Sequence, residues 1–381
     1  MVIQNIKLTN WKNFQNCEIK LSDRVIVIGP NAVGKSNFLD ALRFLRDIVK
    51  QGGGLQSAVE DRGGVKKIRC LAARINTNIC IDVTLGDESV GKARWNYHLE
   101  FKNNGGGIVK TQTVVVNEKV VNLQKEEVLV DRKETDPEED VETLKYTHLE
   151  QPTVNKAFRE IKDTFSSMQY LNVIPEMMRD HQNIMYLAKE DYYGYKLLDR
   201  MAKLNRVTLD SYMERINHVM RCIIPQLEKF TFSKDNTGHP HIEAIYLHWR
   251  AQGAKQDETM FSDGTLRMLG FLFAMLDGNG IILLEEPEIN LHSAVVAQLP
   301  SFIAEIQRNK KRQVILTTHS YDILANEGIR GDEVLVLESD AESTTVRNLN
   351  EEELLLLEDG MSVADIMMNK TAPNDIDKLN R

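Results

Sequence analysis

The chain has 381 residues, 42% hydrophobic and 27% charged, a globular mix long enough for one large domain with an insertion or two domains sharing a core. No apolar run approaches the length that crosses a membrane, and Met1–Ile6 alternates like a strand instead of opening a secretion signal, so a soluble, cytoplasmic protein is expected. A net charge of −9 disfavours strong autonomous DNA binding, and Cys17, Cys70, Cys80 and Cys222 lack the C-x-x-C spacing of a zinc site or disulfide framework.

In chain order, Val2–Lys20 reads as two short strands that reach, through a turn at Ser22-Asp23, the stretch Val25–Asn37. Val25-Ile26-Val27-Ile28 predicts a buried strand, and Phe38, Leu39, Leu42, Leu45 and Ile48 recur at helical spacing. Between them GPNAVGKS fits G-x-x-x-x-G-K-[ST], a loop whose backbone N–H groups and following helix N-terminus cradle phosphates. Lys35 would reach the terminal phosphates and Ser36 would hold Mg²⁺, with Asn31, Gly34 and Asn37 completing the loop.

After the turn QGGGLQ, a block of β character predicts an antiparallel meander: IRCLAARI, NICIDVTL, RWNYHLEF, IVKTQTVVVN and KVVNL. The acidic run KEEVLVDRKETDPEEDVE is expected to be a solvated loop without chemistry. From Thr153 to about Phe230 the spacing turns helical without sustained heptads, predicting a short helical lobe and no long coiled coil. Strands FTFS and HIEAIYLHW then flank the turn Asp235–Gly238, and from Phe261 helix and strand alternate as in a parallel sheet covered by helices.

Ile281–Leu284 is a buried strand delivering two acids. Glu285 is placed in the Mg²⁺ shell and Glu286 as the general base that polarises the attacking water. His319, at the tip of QVILTTHS, could hydrogen-bond a γ-phosphate or that water. Phe261-Ser262-Asp263-Gly264 opens a helix; the turn either only caps a core helix or offers a second anion site. Asn348–Arg381 predicts one or two short helices and a polar tail.

Taken in order, GPNAVGKSN, FSDGTLR, LLEEPEINLH and TTHS resemble the Walker A, signature, Walker B with D-loop, and switch-histidine motifs of ABC-type ATPases. With the opening IKLTNWKNF, the chain is similar to the SMC/RecF/OLD branch, and most to its compact AAA15/AAA21-like ATPases of bacterial anti-phage defence. The resemblance covers about residues 1–75 and 240–340. It implies an α/β fold: an ABC/SMC-like head with a P-loop parallel sheet core, an N-terminal antiparallel β lobe and an inserted helical region.

The domains expected are 1–152 and 231–348 as the two ATPase lobes, 153–230 as the helical insertion and 349–381 as a helical tail. By resemblance, ATP and Mg²⁺ are sandwiched between two subunits, with Ser262 and Gly264 of one reaching the γ-phosphate held by Lys35 of the other. A homodimer or higher even oligomer follows. Gln151 is implied as the Q-loop residue near Mg²⁺, and Arg62 is placed like the arginine loop of SMC proteins. SDGT in place of LSGGQ, and the lack of a long coiled coil, remove transport and chromosome bridging from the inheritance.

The implied function is an Mg²⁺-dependent ATPase that dimerises around ATP and gates a separate effector such as a Toprim or HNH nuclease. The rivals are an ATP-binding scaffold with little turnover and a RecF-like DNA-repair ATPase. A nuclease activity of its own is not expected, and any nuclease would come from another chain.

Overall fold

The computed structural model describes residues 1–104, 112–179, 194, 196–247, 254–340 and 342–371. The expected strand start at Ile108, the strand end at Trp249 and the tail from Ala372 lie outside them. Two compact units emerge, neither continuous in sequence: Met1–Met168 with Asn279–Leu283 and Lys311–Arg381, and Gln169–Gly278 with Leu284–Lys310.

The first unit contains two sheets. One is antiparallel, ordered Phe14–Lys20, Val2–Trp11, Ile79–Gly86, Ala93–Asn103, Thr113–Asn122, Glu127–Lys133. Its strands alternate as a half-buried sheet must. Ile81 faces Leu99 and Val83 faces Tyr97, all fully buried, while the intervening Cys80, Asp82, His98 and Glu100 are only partly covered. The helix Lys35–Val49 joins this core through Phe44, whose ring lies 5.1 Å from Trp11 and 5.3 Å from Phe101.

Three expectations for this region are corrected. Ile68–Ile75 is not a strand, since a short helix, Val65–Ile68, ends there and only Arg69 makes an isolated bridge to Trp11. IVKTQTVVVN and KVVNL belong to one strand, Thr113–Asn122, kinked by a register shift against its neighbour. The acidic run is only half loop, because Glu127–Lys133 is the edge strand and buries Val130 and Arg132. Arg132 explains the exception: its guanidinium meets the fully buried Glu118 at 2.8 Å, so a charged residue points inward with its counter-ion.

The second sheet holds the apolar strand Arg24–Ile28 between Val314–Thr317 and Val334–Ser339, parallel to both. Thr344–Arg347 extends one edge antiparallel. On the other side, Ile282 N–H bonds Gln313 O, opening the strand Ile282–Glu285 that leads the chain into the second unit.

In the second unit a three-stranded antiparallel sheet, Leu227–Lys234, Pro240–Tyr246 and Ala254–Asp257, accompanies the helices Leu197–Lys203, Arg206–Ile223, Asp263–Leu276 and Leu299–Lys310. Asp263–Leu276 is apolar on nearly all sides and is buried from Met268 to Leu276. Among the described residues no helix is long and apolar enough to cross a membrane.

Candidate functional site

In the first unit the loop after Ile28 is built on left-handed turns. Gly29 has φ 151° and Gly34 φ 110°, and Ala32 also adopts a positive φ of 63°. A Cβ on Gly34 would lie 2.0 Å from Asn13 Nδ2, so only glycine lets the loop pass this side chain. Lys35 is buried, and its Nζ donates to Gly29 O at 3.0 Å and Pro30 O at 3.1 Å, which turns the ammonium back over its own loop. Asn31 and Ser36 are exposed and Asn37 is half-buried.

Braces hold this loop from the first hairpin and from Thr344, 311 residues beyond Val33. Asn13 Nδ2 donates to Val33 O at 2.6 Å and to Thr344 Oγ1 at 2.5 Å, and Thr344 Oγ1 donates to Val33 O at 2.7 Å. Asn37 Nδ2 donates to Asn13 Oδ1 at 2.7 Å, and Trp11 Nε1 donates to Asn37 O at 2.9 Å. Asn13 lies in the opening stretch IKLTNWKNF, at a hairpin tip, whereas Thr344 belongs to no sequence motif.

His319 is exposed and follows the strand Val314–Thr317. Because Thr317 pairs with Val27 in parallel register, His319 and Gly29 leave neighbouring strands at the same level. The sheet therefore brings the histidine and the loop to one carboxyl edge.

Arg62 is committed to acids on the loop's own helix. Its guanidinium makes contacts of 2.9 Å to both Asp40 and Asp47, and stacks over Phe44 at 5.2 Å. Burial alone would raise both carboxyls, but Arg62 and Lys12 at Asp40, and Arg46, Arg62 and Lys50 at Asp47, hold them below the usual range.

Gln151 is half-buried and its Nε2 donates to Thr147 O at 3.1 Å. The segment before it is pinned by Glu118, whose carboxylate accepts from His148 N–H at 2.8 Å and Leu149 N–H at 3.3 Å. Beside it Glu150 accepts from Leu55 N–H at 2.8 Å and Thr147 Oγ1 at 3.1 Å, and burial lifts its carboxyl to about 7.

The second unit brings together Ser262, Gly264 and the acidic turn. Ser262 is exposed and caps the helix Asp263–Leu276, accepting from Thr265 N–H at 3.3 Å. A Cβ on Gly264 would stand 2.7 Å from Asn290 O, so glycine here permits the loop after the acids to close on the helix. Asn290 Nδ2 also reaches Asp263 at 3.4 Å, and Arg179 holds Asp263 and donates to Phe261 O at 2.8 Å.

Glu285 and Glu286 are both half-exposed. Tyr170 donates its hydroxyl to Glu285, and Glu286 takes φ 42°, a backbone region non-glycine residues seldom occupy. Tyr170, on the short strand Gln169–Leu171, and Arg179 carry no sequence signal. His241 Nδ1 lies 2.7 Å from Glu258, beyond the next strand, and His239 Nδ1 lies 2.7 Å from Thr237 Oγ1 within the hairpin turn.

Residues 24–325, well over half the chain, match the AAA_21 family, described as AAA domain, putative AbiEii toxin, Type IV TA system. Structures of SMC heads share the fold. One bound to the C-winged helix domain of ScpA is 13% identical with a TM-score of 0.53, covering 93% of this chain and 99% of that one. A second, derived from Pyrococcus furiosus and bound to the C-terminal domain of ScpA, is 12% identical with a TM-score of 0.51, covering 94% and 98%.

Two curated relatives match over short stretches. The endonuclease GajA of Bacillus cereus (strain VD045) is 45% identical over 47 residues, which is 12% of this chain and 8% of that protein. The DNA replication and repair protein RecF of Bacillus velezensis is 39% identical over 46 residues, 12% of each. The chain thus spans only a small part of the length of these relatives. The fold is that of an ABC/SMC-like ATPase head.

Proposed function

We propose, from the premise that the chain belongs to the AAA_21 family of AAA domains, that it binds and hydrolyses ATP between two copies of itself. The observation that carries this reading is Lys35: a buried ammonium folded over a glycine-built turn, at the N-terminus of a helix whose next residue, Ser36, offers an exposed hydroxyl. That donor set fits a triphosphate. Asn31, Gly34, Lys35, Ser36 and Asn37 would hold the phosphates.

Ser36, Glu285 and Gln151 are oxygen donors of the kind Mg²⁺ takes, and the ion would supply charge neutralisation on the β- and γ-phosphates when bound. Glu286 is assigned to orient and deprotonate the attacking water, and His319 to sense the γ-phosphate. Ser262 and Gly264 are assigned to the γ-phosphate of the opposite copy, a role supported by the exposure of Ser262 and the positive end of its helix. Arg62 is proposed to act as a brace for the loop helix. The further step, control of a separate effector such as a nuclease in anti-phage defence, draws its support from the resemblance of the motif set to compact defence ATPases. Cytoplasmic placement is part of the same reading.

Replacing Ser262 by arginine tests the two-copy site. ATP binding to the Lys35 loop should survive while hydrolysis stops. Mixing Ser262→Arg with Lys35→Ala chains should restore part of the activity that neither shows alone, since one composite site of a mixed dimer stays intact. Normal turnover by Ser262→Arg alone would reduce the turn to a helix cap.

A further inference from the structure

The helix Glu351–Glu358 is inverted relative to the usual amphipathic pattern. Its one buried residue is an acid, Glu353, which is 0% exposed, while none of the four consecutive leucines Leu354–Leu357 is buried. Leu355 is 61% exposed, and Leu354 and Met361 are each 38% exposed.

The orientation has a physical cause. Glu353 Oε2 accepts from Arg347 Nη1 at 2.7 Å and Oε1 from Lys370 Nζ at 2.8 Å. A reciprocal cap adds to this, with Glu353 N–H on Asn350 Oδ1 at 2.8 Å and Asn350 N–H on Glu353 Oε2 at 2.9 Å. Breaking a buried, paired carboxylate costs more than leaving a leucine in water, so the ion cluster decides which side faces in. The leucines are left outward.

Along the chain, the charges beside the strip are of one sign. Glu351, Glu352, Glu358 and Asp359 are exposed around the strip, and no lysine or arginine occurs from Asn348 to Asn369. Arg347 and Lys370, which bound this stretch, are engaged with Glu353. We infer that Leu354, Leu355 and Met361, with the carboxylates around them, form a docking face for a basic amphipathic helix of a partner protein. Aliphatic side chains at helical spacing would cover the leucines, and lysines or arginines beside them would meet the rim. A second copy of this chain fits poorly, because pairing the face with itself would set carboxylates against carboxylates. The inference stands independently of ATP hydrolysis.

The test uses the purified full chain and a fluorescein-labelled peptide of leucine and lysine at helical spacing, read by anisotropy, beside a leucine/glutamate peptide of the same pattern. The leucine/lysine peptide should bind and the leucine/glutamate peptide should not. Leu355→Asp, at an exposed position, should weaken binding at least tenfold, whereas Val207→Asp, exposed elsewhere, should not. Reversing the rim with Glu351→Lys, Glu352→Lys and Glu358→Lys should exchange the peptide preference. Equal binding by wild type and Leu355→Asp, or no binding by wild type, overturns the docking face. Self-association abolished by Leu355→Asp would identify a second copy as the occupant and overturn the partner assignment. A tenfold gain in peptide affinity on deleting residues 372–381 would do the same in favour of the chain's own tail.

Discussion

The proposed phosphate loop and the acidic turn after Leu284 differ in how deeply their charged groups are buried. The loop is clasped by Asn13, Trp11 and Thr344, its lysine is buried, and the helix behind it is cross-linked by Arg62 to Asp40 and Asp47. The acids stand half-exposed on a turn with a positive φ, with Tyr170 on Glu285 and the close pass of Asn290 at Gly264. The difference teaches where geometry is built in advance. A group proposed to grip phosphates is buried and braced from several directions, while groups proposed to meet a second molecule remain accessible.

The comparison is broken most severely at Lys35. Lys35→Ala should weaken binding of a fluorescent ATP analogue by about 100-fold or more, since charge-assisted hydrogen bonds to the phosphates are lost. Unchanged affinity would show that the loop is not a phosphate cradle. On the other side, Glu286→Gln should slow turnover by about 100- to 10,000-fold while ATP stays bound. Sizing that variant with ATP and Mg²⁺ should show a heavier species than with ADP; unchanged mass together with unchanged hydrolysis would sink the assignment.

Arg62→Ala sharpens the contrast through stability. It leaves two buried carboxylates without their shared cation and should cost about 3–5 kcal/mol in urea unfolding. A loss below about 0.5 kcal/mol would remove the bracing role. The smallest effect is expected at Glu150. Its carboxyl is lifted to about 7 by burial, from an ordinary value near 4.5, so the folded state binds the extra proton. Stability is therefore greatest below the lower value and falls as pH rises through the higher one. Glu150→Gln should be more stable than wild type at pH 8, by up to about 3 kcal/mol, with the advantage fading towards pH 4. An advantage independent of pH would point to altered packing.

Much of the loop was legible because its signals are local. Four consecutive β-branched residues, a glycine-framed turn and a helical repeat all occur within Val25–Ile48, and the structure has strand, turn and helix there. Ser262 was legible as a cap for the same reason. What holds the loop was less legible, since Thr344 meets Val33 from 311 residues away, and neither it nor Asn13, 20 residues before Val33, obeys a periodicity. The strand Glu127–Lys133 was hidden by its charges: Arg132 reads as a surface residue until Glu118, on the neighbouring strand, supplies its partner. The inverted helix at Glu351–Glu358 misleads in the other direction, because four leucines suggest burial and a glutamate suggests water.

The neighbours of the strand Arg24–Ile28 have a consequence for how the protein is made. Both strands that flank it, Val314–Thr317 and Val334–Ser339, come from far down the chain, and Thr344 closes on Val33 from 311 residues later. At about 5–20 residues per second, a ribosome completes the loop's sequence tens of seconds before it completes the loop's surroundings. During that interval the apolar run Val25–Ile28 has neither sheet partner. A chain stalled before Val314 is therefore expected to be cut readily by protease near this run and to ignore ATP, and release of the remaining residues should confer protection and nucleotide binding together. Nucleotide competence would then report that translation has passed the last brace, a timing set by topology alone.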